Sequence, residues 1–128
     1  MAAKKVILVD TDILIKVFRG DVTRKKHLDA LRGRIAVSII TVLELYQGAV
    51  TKQRKYELEK QLRAYFILHI EGEISKKALM ISKKYFPVRQ ILPPDCLIAS
   101  TAICHHLELY TDNKSDFDFI KELKLYVP

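Results

Sequence analysis

Val6-Ile7-Leu8-Val9 is a run of four apolar residues, three of them β-branched, closed at once by Asp10. Nothing in it alternates, so it does not describe a strand with one wet face. It describes a strand covered on both faces, as in the centre of a parallel sheet packed between helices. Parallel strands need long crossovers, usually helical, and the remaining sequence divides accordingly. Helices are predicted over residues 11–18, stopped by Gly20, and over 22–31, the second one basic. A strand follows at 35–37, helices at 41–50 and 53–66, and a third strand at 67–70. An amphipathic helix over 74–86 leads through a proline-rich loop to a helix over 95–106, with Pro94 near its first turn. A fourth strand at 107–110, a short helix at 115–123 and a fifth strand at 125–127 complete an α/β domain with a mostly parallel sheet. In such sheets function gathers at the carboxyl ends of the strands.

The 128 residues are 49% hydrophobic and 29% charged, with four Gly and four Pro. This excludes a disordered, collagenous or low-complexity chain, and one domain over residues 1–128 is expected. No apolar run nears the ~20 residues of a membrane span. Met1-Ala2-Ala3-Lys4-Lys5 leads into an apolar stretch too short for a signal peptide core, so a soluble cytosolic protein is expected. Cys96 and Cys104 fall on one predicted helix at ~12 Å separation, too far for a disulfide. No Cys/His spacing suits zinc, and His105-His106 reads as a surface pair near a helix end. Lys and Arg number 22 against 15 Asp and Glu, a net charge of +7. Each basic group, Arg24-Lys25-Lys26 for example, reads alone as a solvated helix face. Together they make a surface that attracts polyanions such as nucleic acid.

The acids fall in a pattern. Asp10 ends the first strand, where it is read either as an N-cap or as a functional carboxylate, with Asp12 competing for the cap. Glu44 follows the second strand, and Thr41-Val42-Leu43-Glu44 fits a capping box. A core stripe of Val42, Leu45, Tyr46 and Ala49 leaves Thr41, Glu44 and Gly48 on another stripe, where Gly48 suggests a close approach. Asp95 shares a small, apolar helical stripe with Ile98, Ala99, Ala102 and His106, which points a carboxylate inward or into a cleft. Asp112 and Asp116 follow the fourth strand, and Ser115 with Asp118 fits a second capping box. In a parallel sheet these acids converge at one edge. Clustered carboxylates repel unless a cation neutralises them, and oxygen-only donors suit Mg²⁺ or Mn²⁺. An acidic metal pocket in a basic protein matches the needs of phosphodiester cleavage.

Four segments carry a resemblance: Val9-Asp10-Thr11-Asp12-Ile13-Leu14-Ile15; Ser38 to Leu45 with Gly48; Pro94-Asp95-Cys96-Leu97-Ile98-Ala99; and Leu109-Tyr110-Thr111-Asp112-Asn113-Lys114-Ser115-Asp116-Phe117. In order and spacing the chain resembles the PIN domain family and, within it, the VapC-like toxins of toxin–antitoxin pairs. The resemblance implies a PIN-like fold with a five-stranded sheet of order 3-2-1-4-5 flanked by helices. It implies a magnesium-dependent endoribonuclease, with Mn²⁺ as the other candidate ion. Asp10, Glu44, Asp95 and Asp116 match the family's acids and would be catalytic and metal-binding. Asp112 is an extra acid that is also a candidate metal ligand. Asp12 stands where the family commonly has Asn. Thr11, Asp12, Thr111 and Asn113 would orient the ligands. RNA substrate, a homodimer and a VapB-like antitoxin covering the acidic cleft are implied as partners. The amphipathic helix from Ile74, with Leu79, Ile81 and Phe86, is read either as core or as a dimer contact.

Two other readings use the same residues. One is a PIN-like module that binds RNA or a partner without cutting. The other takes Asp10-Thr11-Asp12 as the opening of a haloacid dehalogenase-type phosphatase, which leaves Glu44 and Asp95 unused and places Leu14 where that family expects Thr or Val.

Overall fold

The opening apolar run forms β1 (Ile7–Val9), with all three residues buried. It pairs in parallel with β2 (Ile35–Ser38) on one side, while β3 (Phe66–Leu68) lies beyond β2 and β4 (Glu108–Tyr110) pairs with β1 on the other side. The order is β3-β2-β1-β4, all parallel. This computed structural model describes residues 4–128. Met1, Ala2 and Ala3, part of the stretch expected to hold no signal peptide, lie outside the described residues.

Among the described residues six α-helices flank the sheet: α1 (Thr11–Phe18), α2 (Val22–Ala30), α3 (Ile39–Gly48), α4 (Lys52–Leu62), α5 (Gly72–Tyr85) and α6 (Pro93–Cys104). The two-residue period of a strand divides the core. Ile7 and Val9 pack with Ile35 and Val37 against residues of α1 to α4. Leu8, Ala36 and Leu109 face the other way, onto Ala78 and Ile81 of α5, Ile98, Ala99 and Ala102 of α6, and Phe117. Such double cover is what an unbroken apolar run demands. Among the described residues no helix is long and apolar enough to cross a membrane. Both cysteines are free.

The structure corrects several predicted elements. The sheet has four strands rather than five. Residues 125–127 do lie beside β4, but as a single parallel bridge between Leu109 and Leu125. Leu109 N–H donates to the Lys124 carbonyl (2.9 Å) and Tyr126 N–H to the Leu109 carbonyl (2.7 Å). In that register the next N–H from this strand would belong to residue 128, a proline, which has none. β3 starts one residue early and carries an exposed Phe66, as a short edge strand can. α3 starts at Ile39 because Ser38, extended and buried, accepts the Ile40 N–H on its side chain. Thr41 is therefore inside the helix, and the Thr41–Glu44 capping box does not exist. Tyr46 is exposed rather than core. The helix predicted at 115–123 is only a 3₁₀ turn, Lys114–Asp116, and Asp118 N–H donates to the Lys114 carbonyl instead of entering a capping box with Ser115. On α5, Ile74, Ala78 and Ile81 are core, while Leu79 and, just past the helix, Phe86 are exposed.

The central strand sets the stability. Leu8 has no exposed surface, and Leu8→Ala is expected to cost about 3 kcal/mol. Urea unfolding checks this: the midpoint should fall sharply while the slope stays unchanged.

Candidate active site

The chain leaves β1 towards β2 through α1 and α2, and returns to the opposite side of β1 as β4 through α5 and α6. The strand order therefore reverses around β1, and the carboxyl ends of β1, β2 and β4 meet where open α/β sheets form a ligand crevice. Asp10 forms its floor. Asp10 N–H donates to the Tyr110 carbonyl (2.9 Å), continuing the ladder. Its Oδ1 accepts the Thr11 N–H (2.8 Å), so it does cap α1, and its Oδ2 accepts the Thr111 hydroxyl (2.8 Å). Capping and membership of the acidic group are thus compatible roles.

Asp10 is only 5% exposed. Burial first, then the Asp12 charge and more weakly that of Asp95, push its pKa up to about 7, although the bonds from Thr111 and Thr11 favour the ionised form. Asp95 lies in the first turn of α6, which opens on Pro93 and Pro94. The helix N-terminus favours an anion there, yet burial and the charges of Asp116, Glu44 and Asp12 push Asp95 up to about 6. Acids from the start, middle and end of the chain therefore sense one another in one crevice. Glu44 and Asp116 stand on its exposed rim.

The residues expected to orient these acids divide. The Thr11 hydroxyl donates to Glu44 Oε1 (2.8 Å) and lies 2.9 Å from the Thr41 hydroxyl. Having given its one proton to Glu44, it accepts that of Thr41. Thr41 is a positioning group that the capping-box reading hid. Asp12 accepts the Ile13 N–H on Oδ1 (2.8 Å) and the Asp112 N–H on Oδ2 (2.9 Å). Asn113 contributes its backbone N–H, given to the Thr111 hydroxyl (3.0 Å), while its side chain is exposed. Asp112 is differently engaged. Its Oδ2 accepts from Lys16 Nζ (2.6 Å) and from Arg24 Nε. Arg24 above all, with Lys16, holds this carboxyl below its ordinary range. Arg24 reads in the sequence as one of a solvated basic group and is instead engaged with Asp112, while Lys16, which interrupts the apolar run Ile13-Leu14-Ile15 and Val17-Phe18, is not singled out there.

Carboxylate oxygens of this kind fit a hard divalent cation. Among the described residues no three His, Cys, Asp or Glu side chains are gathered tightly enough to hold an ion as they stand. None of Asp10, Glu44, Asp95 and Asp116 has an ion-pair partner among the described residues either. The donor set fits such an ion in kind and in uncompensated charge. From Glu44 a groove of about 660 Å³ runs between α1, α3 and α4, floored by Phe18, Leu45, Ala49 and Leu58 and edged by Arg19 and Arg54. Gly48 borders it, and among the described residues nothing beyond its chain neighbours and its own helix backbone comes within 4 Å of a Cβ placed there. The close approach suggested at Gly48 is not made by this chain.

The sequence profile of the PIN domain matches residues 7–122. Ribonuclease VapC1 of Methanocaldococcus jannaschii is 35% identical, across 94% of this chain and 86% of that protein. Ribonuclease VapC10 of Mycobacterium tuberculosis is 32% identical, across 92% and 90%. A chain of a solved toxin-antitoxin complex from Klebsiella pneumoniae superposes with a TM-score of 0.80 and 32% identity, covering 91% of this chain and 94% of that one.

The raised acids make a stability statement. Over the range from 3.8 to about 7, folded Asp10 keeps a proton that unfolded Asp10 has lost. The contribution of Asp10 to the stability of the metal-free protein is therefore greatest below this range and is lost as pH rises through it. Asn also serves as an N-cap, so Asp10→Asn should flatten the slope and raise the melting temperature above neutral pH by a few degrees. Melting curves in EDTA across this range check it.

Proposed function

The chain belongs to the PIN domain family, and from that premise we propose that it is a metal-dependent endoribonuclease, the toxin of a VapBC-type toxin–antitoxin pair. Two relatives named ribonuclease, each aligned over more than nine-tenths of this chain, support the activity. What carries the reading here is that burial and neighbouring acids raise both Asp10 and Asp95, the Asp95 charge contributing to the rise of Asp10, while neither has an ion-pair partner among the described residues.

Asp10, Glu44, Asp95 and Asp116 would hold Mg²⁺ or Mn²⁺. When bound, the ion supplies Lewis acidity, which acidifies an attacking water and offsets charge developing on the phosphodiester. The chain supplies the rest. Thr111 aims Asp10, and Thr11, itself engaged by Thr41, aims Glu44, so two ligands are held by hydroxyls rather than left to rotate. A proton on Asp10 leaves as the cation enters, so binding strengthens with pH. The net charge of +7 draws RNA to a site that is itself acidic.

The partners follow from the surface. The groove beside Glu44 has an apolar floor and charged edges, which suits an amphipathic antitoxin segment, and a cation on that segment would compete for the acids. The solved toxin–antitoxin relative supports such a partner. Leu79, Met80, Phe86 and Val88 form an exposed apolar surface on and just after α5, which a second copy of the chain would cover in a homodimer.

The test is cleavage of single-stranded or loop RNA by the purified protein. EDTA should abolish it and Mg²⁺ or Mn²⁺ restore it. Asp95→Asn should lower kcat/KM by about 100-fold or more while keeping the folded circular dichroism spectrum. Metal-independent cleavage overturns this mechanism. RNA binding without cleavage, and without stabilisation by Mn²⁺, would favour a non-cutting module. That reading draws on the loose spacing of the acids.

A further inference from the structure

The loop after β4 does more than present acids. Thr111 donates its hydroxyl to Asp10 (2.8 Å), Asp112 donates its N–H to Asp12 (2.9 Å), and Asn113 N–H returns to the Thr111 hydroxyl (3.0 Å). Three consecutive residues thus aim both carboxylates of the first motif. The loop is held in turn by the Asp112 side chain, whose Oδ2 is shared by Lys16 of α1 and Arg24 of α2. Arg24 is gripped from its other side. Its Nη1 donates to Asp21 Oδ2 (3.1 Å), and its backbone N–H donates to Asp21 Oδ1 (2.8 Å). The rigid guanidinium fork serves two carboxylates in fixed directions, which an ammonium does not reproduce.

We propose that Asp112 is a positioning residue and not a metal ligand: Lys16 and Arg24 clamp its carboxylate so that residues 111–113 hold Asp10 ready for the cation and fix Asp12 beside it. Charge supports this division. Two cations already meet Asp112 at Oδ2 and offset its charge, so a divalent ion gains less there than at an unpaired carboxylate. The acids it would meet at Asp10, Glu44, Asp95 and Asp116 have no such partners among the described residues. The clamp also links α1, α2 and the β4 loop, elements that follow strands on both sides of the switch in strand order. The ligand-orienting half of the proposal rests on the metal-dependent reading above; the clamp itself does not.

The two roles predict opposite signs. If Asp112 were a ligand, Arg24→Gln would free it and remove a positive charge, so Mn²⁺ would bind more tightly. If Asp112 positions the loop, Arg24→Gln should weaken Mn²⁺ binding by about 10-fold. Asp112→Asn should do the same, and the double variant should be no worse than either. Arg24→Lys should restore little, since it keeps the charge but loses the fork. A second measurement needs no metal. Native-state hydrogen exchange on the metal-free protein should show the Asp112 and Asn113 amides about 10-fold less protected in Arg24→Gln, with β1 unchanged. Unchanged protection at Asp112 overturns the clamp. Lost protection with tighter Mn²⁺ binding overturns the positioning role and returns Asp112 to the ligands. If the unsubstituted protein binds no Mn²⁺, the metal-dependent reading and the ligand-orienting half fall together, whatever the exchange shows of the clamp.

Discussion

A carboxylate that ends a doubly covered strand has almost no water to turn to, and much of this fold serves that one group. Asp10 finds two hydrogen-bond donors, the Thr11 N–H and the Thr111 hydroxyl. Neither neutralises its charge, and Asp12 and Asp95 make the local field more negative. Burying an uncompensated charge is among the costlier things a protein does. The chain avoids part of that cost by keeping Asp10 protonated up to about pH 7, at the carboxyl end of a fully buried strand beside the reversal of strand order.

The other features of the site grade outward from this floor. Asp10 is buried, Asp12 and Asp95 are partly buried, and Glu44 and Asp116 reach the exposed rim. Hydroxyls fix the inner acid and one outer acid. The positive charge of the clamp meets Asp112, one residue beyond Thr111, and leaves the crevice itself without a cation.

Much of this was legible in the sequence, for physical reasons. The unbroken run before Asp10 announced a strand covered on both faces, because only such a strand has no polar side to record. Gly20 announced the end of α1, which it follows in a left-handed conformation with φ of 96°. The crevice acids were legible because Asp10 closes a strand, Glu44 and Asp116 come after strands, and Asp95 stands on an otherwise small, apolar helical stripe. What failed was whatever depended on choosing among equivalent local signals. Ser38 and Thr41 are both hydroxyl residues ahead of the apolar stripe of α3, and the tertiary position of Ser38 at the end of β2 chose between them. Residues 125–127 look like a strand, but strand length is decided by partners, and Pro128 withholds one. The pairing of Lys16 and Arg24 with Asp112 links residues 96 and 88 positions apart, and no local pattern carries such a contact.

The two edges of the sheet have a consequence for how copies of the chain can meet. β3 ends the sheet on one side after three residues, too short to template a strand from another molecule securely. On the other side the outer edge of β4 is partly occupied by the Leu109–Leu125 bridge, and proline interrupts its continuation. Growth by strand addition, the route by which open parallel sheets become fibres, is therefore discouraged at both ends. Any meeting of copies is left to helical faces, where contact is set by side-chain shape rather than by an open backbone ladder.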